Sequence, residues 1–340
     1  MDWFERLTGF AEGDYETTQS RLRVDGAELV STVNGRRYGI GWLTLPTLDE
    51  LRARVNPARG RRSSFGALVG DVRALHAEPA YAGALFQVAS QFNLLEMVSE
   101  RITPEHGVAR YAGDPTQGPA CAMAAGAATI YRNYLVPVGD GIGQRSGRQL
   151  DGLAGVGAAL SELTGLPVEA LWRMQNGYAL CTREGLRAIS DLLDGAPEER
   201  LDGVRGRLAI GLHRDVEVTG VPIADAGAGE RRLVSQAFCS ALPVSYSGLS
   251  RSEYGVFARL VLEAAYEATL LAAAEQAEAG GSNTVLLTRL GGGAFGNADE
   301  WIDGAIDRAL GIVADAGLDI RIVCYNRIGP GMRDLVDRWG

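Results

Sequence analysis

The C-terminal third of the chain alternates between two hydrophobic periods. Runs at 233–241, 284–290 and 319–325 are short, apolar and bounded by glycine or polar residues, the pattern of strands buried on both faces. Between them Phe257, Leu260, Val261, Ala264, Ala268 and Leu271 recur at helical spacing, and so do Trp301, Ile302, Ala305, Ile306, Ala309 and Leu310. Strand, helix, strand, helix, strand predicts parallel pairing with right-handed crossovers. Ligands of such sheets bind beyond the carboxyl ends of the strands, which here carry residues 291–297 and Tyr325-Asn326.

Upstream, residues 84–89 read as a buried strand that ends in the polar loop Ser90-Gln91-Phe92-Asn93. A loop with Glu96, Glu100 and Glu105 leads to Gly113-Asp114-Pro115-Thr116-Gln117-Gly118-Pro119, and a helix with small residues at its start is predicted from about 120 to 134. Nearer the N-terminus, 29–33 and 38–43 flank Asn34-Gly35 as a hairpin, and Thr47 with Glu50 opens a short helix as a capping box. Nothing in residues 1–75 reads as catalytic, so they are expected to be an N-terminal embellishment of a core spanning 76–340. Residues 139–230, with a glycine loop, several helices and a strand pattern at 208–218, read as an insertion or helical cover.

Composition narrows the chemistry. All 33 basic residues are arginine, so Schiff-base catalysis, a Walker A phosphate lysine and any lysine nucleophile are excluded. A net charge of −9 argues against coating nucleic acid by bulk electrostatics, and Arg59, Arg61 and Arg62 read as a solvated loop, with a local nucleic-acid contact as the alternative. The four cysteines and three histidines are scattered without metal-ligand spacing. We therefore expect no metal, no cofactor and no disulfide framework. No signal-like N-terminus and no apolar run of membrane length occur, which predicts a cytoplasmic protein without a membrane partner.

Gly291-Gly292-Gly293-Ala294-Phe295-Gly296 satisfies G-x-G-x-x-G after a strand and before a helix whose first turn carries Asp299 and Glu300. Backbone N–H groups exposed at such a turn bind phosphate oxygens; the alternative is a tight turn that needs only positive φ. A dinucleotide-binding domain carries this fingerprint in its first strand–helix turn. Here the chain after Gly296 has room for one more helix and strand, so the loop serves a sheet that is nearly complete.

On these residues the chain resembles the macrodomains that bind ADP-ribose, and among them the microbial poly(ADP-ribose) glycohydrolases. Residues 291–297 are close to the Gly-x-Gly-Ala-Phe-Gly-Asn diphosphate loop of that family, and Phe238-Cys239-Ser240-Ala241-Leu242-Pro243 looks like its strand ending in Ser-Ala-Ala-Pro. Residues 86–93 are similar to its strand and Asn-bearing ribose loop. The resemblance spans about 84–135 and 232–327, and the whole chain also resembles a divergent actinobacterial macrodomain group with ADP-ribosyl hydrolase activity linked to DNA damage. It implies an α/β fold, a three-layer α/β/α macrodomain with a mixed, largely parallel sheet. It implies Asn93 on the distal ribose, Gly292, Gly293, Ala294, Phe295 and Gly296 around the diphosphate, Tyr325 and Asn326 beside adenine, and Gln91, Gly118, Gly291 and Asn297 as further ligand-binding residues.

The chain departs from the family where mechanism is decided. The Gln-Glu-Glu of the glycohydrolases is replaced by Gln117-Gly118-Pro119, and the lysine-nucleophile subclass is excluded by composition. What remains is attack of water on the anomeric carbon, with Asp114 as first candidate base and Glu96, Glu100 and the amide of Gln117 as further candidates. Asp114 has a competing role as a helix N-cap. The expected activity is removal of mono-ADP-ribose from acidic protein side chains, with ADP-ribosylated DNA second, where the arginines at 59–62 would find a use. A non-catalytic ADP-ribose-binding module and an NAD-dependent oxidoreductase are the alternatives.

Overall fold

Seven strands form the central sheet: β1 (Trp42–Thr44), β2 (Ser64–Val69), β3 (Leu85–Ala89), β4 (Gly211–Glu217), β5 (Leu233–Cys239), β6 (Thr284–Leu287) and β7 (Asp319–Cys324). Their order is β1-β4-β5-β3-β6-β7-β2. The computed structural model describes residues 1–57, 60–221, 231–325 and 327–340. Strands β5, β3, β6, β7 and β2 run parallel, whereas β4 is antiparallel to β5 and β1 is antiparallel to β4. The sheet is thus mixed and largely parallel, with all five parallel strands ending on the same side.

Alternation along each strand sends side chains to two different cores. Leu85, Ala237, Val285, Leu287, Ile320 and Ile322 pack toward helices α1 (Leu48–Arg54), α4 (Arg251–Glu278) and α5 (Asp299–Ile312). Phe86, Val88, Val234, Phe238 and Leu286 pack on the opposite face against Cys121, Ala125 and Ala128, in and between helices α2 (Gln117–Ala124) and α3 (Gly126–Tyr134). The three-layer α/β/α arrangement expected from the sequence is the one observed. Helix α4 is buried over most of its 28 residues, which explains its nearly all-round apolar sequence. The last helix, α6 (Pro330–Trp339), packs beside β2 and α5.

Several local expectations change once distant segments meet. The helix expected from 120 begins at Gln117 and breaks at Ala125 (φ −108°, ψ 58°), because the N–H groups of Thr219 and Gly220 both take the Ala124 carbonyl, at 2.9 and 3.0 Å. Strand Glu28–Ser31 pairs antiparallel with Arg37–Gly39, so the expected hairpin forms, but Val30 opposite Arg37 makes its connection longer than a two-residue Asn34-Gly35 turn, and of that pair only Gly35 has positive φ. Gly41 (φ 58°) then turns the chain so closely over the Arg214 carbonyl that a Cβ would lie 1.8 Å from it, and β1 joins the main sheet instead of extending the hairpin. Residues 1–75 therefore supply both edge strands of the sheet, and 139–230 supply an inner one, β4. Neither segment is merely appended.

Arg61 bridges to Ala316 just before β2 and β7 begin. At about 3.3 Å per residue, six-residue β2 separates Arg61 and Arg62 by about 20 Å from the strand ends where a ligand would bind. Arg61 and Arg62 therefore do not line the cleft, and Arg59 lies outside the described residues. All four cysteines are buried and unpaired. Among the described residues no cluster of metal-ligating side chains occurs, and no helix is long and apolar enough to cross a membrane.

Candidate active site

Beyond the carboxyl ends of the parallel strands lies a cleft of two adjoining chambers, of about 430 and 520 Å³. The inner chamber is walled by Gln91, Glu96, Met97, Asp114, Tyr178 and Phe295, and the outer by Asp71, Val72, Val323, Tyr325 and Met332. Pro115, Thr116, Gln117, Thr288, Arg289 and Gly293 line both, forming a waist between them.

The glycine loop makes one side of that waist. Tyr266 of α4 anchors its base, donating to the Thr288 carbonyl (2.7 Å) and accepting from Leu290 N–H (2.9 Å). Gly291 (φ 70°) and Gly296 (φ 73°) adopt left-handed backbone, and a Cβ on either would collide with Asn297 or Ser245. Asn297 ties the loop to the chain just after β5 by donating Nδ2 to the Leu242 carbonyl at 2.9 Å, while its buried Oδ1 has no partner among the described residues. Within the loop, Gly292, Gly296 and Asn297 use their N–H groups on loop carbonyls. Among the described residues those of Gly293, Ala294 and Phe295 have no protein acceptor, and Gly293 and Ala294 are exposed. Helix α5 starts two residues after the loop, at Asp299, and Arg289 pairs with that first residue (2.7 Å) and with Asp303 one turn further on.

The facing wall comes from the start of α2. Gly118 presses so near β3 that a Cβ would lie 2.0 Å from the Ala89 carbonyl. Gln117 extends the β3 ladder with its side chain: Oε1 accepts from Ala89 N–H (2.9 Å) and Nε2 donates to the Gln87 carbonyl (2.8 Å). Its amide is therefore committed to holding helix against strand. Asp114 is half-buried on the inner wall, with Oδ1 accepting from Thr116 N–H (2.9 Å) and Thr116 Oγ1 (2.6 Å). It caps the turn before α2 and is not the helix N-cap, a position held by Thr116.

Gln91 lines the inner chamber while its Oε1 accepts from Met97 N–H (2.8 Å). Asn93 lies behind this wall: Oδ1 accepts from Leu95 N–H and Nδ2 donates to Gln149, which in turn donates to Asn176. Glu96 reaches the wall with its stem, but its carboxylate is fully enclosed, and among the described residues neither oxygen has a hydrogen-bond partner. Arg132, fully buried over the Phe238 ring, stands 3.7 Å away, too far for a hydrogen bond. Burial pushes the Glu96 carboxyl up to about 8 despite the guanidinium, and burial likewise lowers Arg132. Glu100 is outside the cleft and pairs with Arg101.

At the far end Tyr325 is 72% exposed on the outer wall, and Asn326 lies outside the described residues. Gly292, Gly296 and Asn297 shape the loop without lining either chamber. Four wall residues escaped sequence reasoning. Arg289 sits two positions before the glycine run, a cation beside a phosphate-type loop and so a readable signal. Asp71 follows a strand and caps the turn at Arg73 N–H, which is readable too. Tyr178 and Tyr246, packed near Phe295 with ring centroids at 5.4 and 5.6 Å, reach the chamber from remote segments and carried none.

No family model and no curated protein sequence matches the chain. Among solved structures, poly(ADP-ribose) glycohydrolase of Deinococcus radiodurans in complex with ADP-ribose is similar at 13% identity and a TM-score of 0.48, over 87% of this chain and 94% of that one. The glycohydrolase of Thermomonospora curvata is similar at 12% identity and a TM-score of 0.42, over 96% of each chain. At these values the likeness assigns no family, and the cleft stands on its own geometry.

Proposed function

We propose that the chain is an ADP-ribosyl hydrolase, binding ADP-ribose along the cleft and cleaving the bond between its distal ribose and a modified macromolecule. The observation that carries this reading is the waist: a glycine loop with uncommitted N–H groups and an arginine, set between two chambers. A ligand with a diphosphate at its middle and a riboside at each end matches that order. Adenine fits the outer chamber, between the apolar walls of Val72 and Val323 and the ring of Tyr325, with the Asp71 carboxylate available to an exocyclic amine. The distal ribose fits the inner chamber.

There Asp114 is the base. Its Oδ1 is fixed by Thr116, so the carboxylate keeps one orientation, and its other oxygen takes a proton from the water that attacks the anomeric carbon. The bond from that carbon to the acceptor breaks, with the electron pair leaving on the acceptor. Glu96 lines the same chamber but its oxygens are closed to it, so among the described residues no second carboxyl group there is open to protonate a leaving group. A leaving group that departs as a stable anion suits that arrangement, so ester-linked ADP-ribose on acidic protein side chains is the preferred substrate over ADP-ribosylated DNA. One observation favours a binding module that does not cleave: Gln117, an amide that would orient the water, is committed to β3.

Calorimetry with ADP-ribose, NAD and AMP, followed by release of ADP-ribose from ester-modified peptide and from modified DNA, tests the reading. ADP-ribose is expected to bind best, and Asp114→Asn is expected to cut turnover on the order of 10²–10⁴-fold with little change in ADP-ribose affinity. No ADP-ribose binding sinks the proposal; binding without turnover leaves the non-catalytic module, and preference for NAD leaves an oxidoreductase.

A further inference from the structure

Arg289 occupies the waist of the cleft with two unequal partners. Asp303 is 21% exposed at its side chain and is hemmed by Gly331 at the start of α6, where a Cβ would lie 2.3 Å from its Oδ2. Asp299, the first residue of α5, is 81% exposed and reaches Arg289 through one contact at 2.7 Å. The first pair is half-buried and orients the guanidinium. The second belongs to the exposed class whose net contribution to stability is small, so it exchanges readily.

The space beside Arg289 suits an anion. A Cβ on Gly293 would meet nothing within 4 Å, and the N–H groups of residues 293–295 are uncommitted. A diphosphate brings more negative charge than one carboxylate and paired oxygens that match a guanidinium fork. An unmoved Asp299 carboxylate would repel it. We propose that Asp299 is an internal competitor for Arg289, which an entering diphosphate displaces from the Nη2 atom, so that Arg289 makes the cleft selective for ligands with a diphosphate over those with none and Asp299 limits how tightly they are held.

This rests on the reading that an ADP-ribose-type ligand lies along the cleft, and the test separates the two. Dissociation constants for ADP-ribose, ADP and adenosine are measured on the wild type, Arg289→Gln and Asp299→Asn. Asp299→Asn is expected to tighten ADP-ribose and ADP by roughly 3–10-fold, because the diphosphate no longer competes with a carboxylate for the guanidinium. Arg289→Gln is expected to weaken both by roughly 10–100-fold, the loss of a charge-assisted hydrogen bond. Adenosine is expected to bind all three proteins alike. Tighter binding by Asp299→Asn cannot come from misfolding, which guards the reading against an unstable Arg289 variant. If ADP-ribose binds all three proteins equally, the exchange is refuted while the functional reading survives. If ADP shows the expected pattern but ADP-ribose is neither bound better nor hydrolysed, the exchange is supported and the functional reading falls.

Discussion

Glu96 offers a prediction that the structure makes in both sign and size. Its side chain is 1% exposed and among the described residues neither carboxylate oxygen has a hydrogen-bond partner. Burial pushes it from an ordinary value of 4.5 up to about 8. In the unfolded chain the group ionises at its ordinary value, so between those two pH values the folded protein holds one proton more than the unfolded one. Stability from this group is then lost as pH rises, at about 1.4 kcal/mol per pH unit. Between pH 5 and 8 the loss is on the order of 4 kcal/mol, and above the folded value it levels off. Glu96→Gln keeps the shape and cannot ionise. His76, lowered by burial to about 4, and His213, also lowered, give the opposite slope in the acid range but are common to both proteins. Urea unfolding followed by tryptophan fluorescence at pH 5.5, 7 and 8.5 is the assay. The variant is expected to lose less stability toward pH 8.5 than the wild type, by a few kcal/mol. Parallel pH dependence of the two proteins would refute the argument, and would mean that Arg132 keeps Glu96 ionised throughout.

Other substitutions probe the rest of the cleft and its scaffold. Gly118→Ala forces α2 away from the Ala89 carbonyl and is expected to cost about 3 kcal/mol in chemical denaturation; an unchanged midpoint would show that the helix start is not pinned. Tyr325→Ala removes an exposed ring and should weaken ADP-ribose by roughly tenfold through lost stacking, with the melting temperature unchanged. Glu267, enclosed on α4, accepts from Arg52 of α1 at 2.5 and 2.9 Å and from Arg308 of α5. Glu267→Gln leaves two arginines short of an anion and is expected to destabilise by about 3 kcal/mol, with ADP-ribose affinity per folded molecule unaltered.

The strand runs around β5, β6 and β7, the helical stripes of α4 and α5, the capping box at Thr47 and the existence of a hairpin around Gly35, though not its two-residue turn, are legible from residues near one another in sequence. So is the glycine loop, since positive φ and open N–H groups follow from residues with no side chain to obstruct them. These features rest on backbone preference and hydrophobic period, which are local.

What side chains do with their polar atoms is not local, and there tertiary structure decided. Asn93 and Gln117 have the residue types a ribose site needs, yet folding commits Asn93 to Gln149 and Gln117 to β3. Glu96 is a loop carboxylate in sequence and an enclosed, unpartnered one in the fold. Arg289 becomes the cation of the waist only because α5 folds back with Asp299 and Asp303 beside it, and Tyr178 reaches the cleft from a hairpin far along the chain from residues 90–93, in a segment read as a cover. Even the sheet depended on distance: β3 inserts between β5 and β6, and two strands from the first 75 residues close its edges. Sequence determined which segments can be strands, helices and anion-binding turns, because those are short-range properties. Which amides and carboxylates remain free for a ligand was decided only by the long-range hydrogen bonds and burial of the assembled fold.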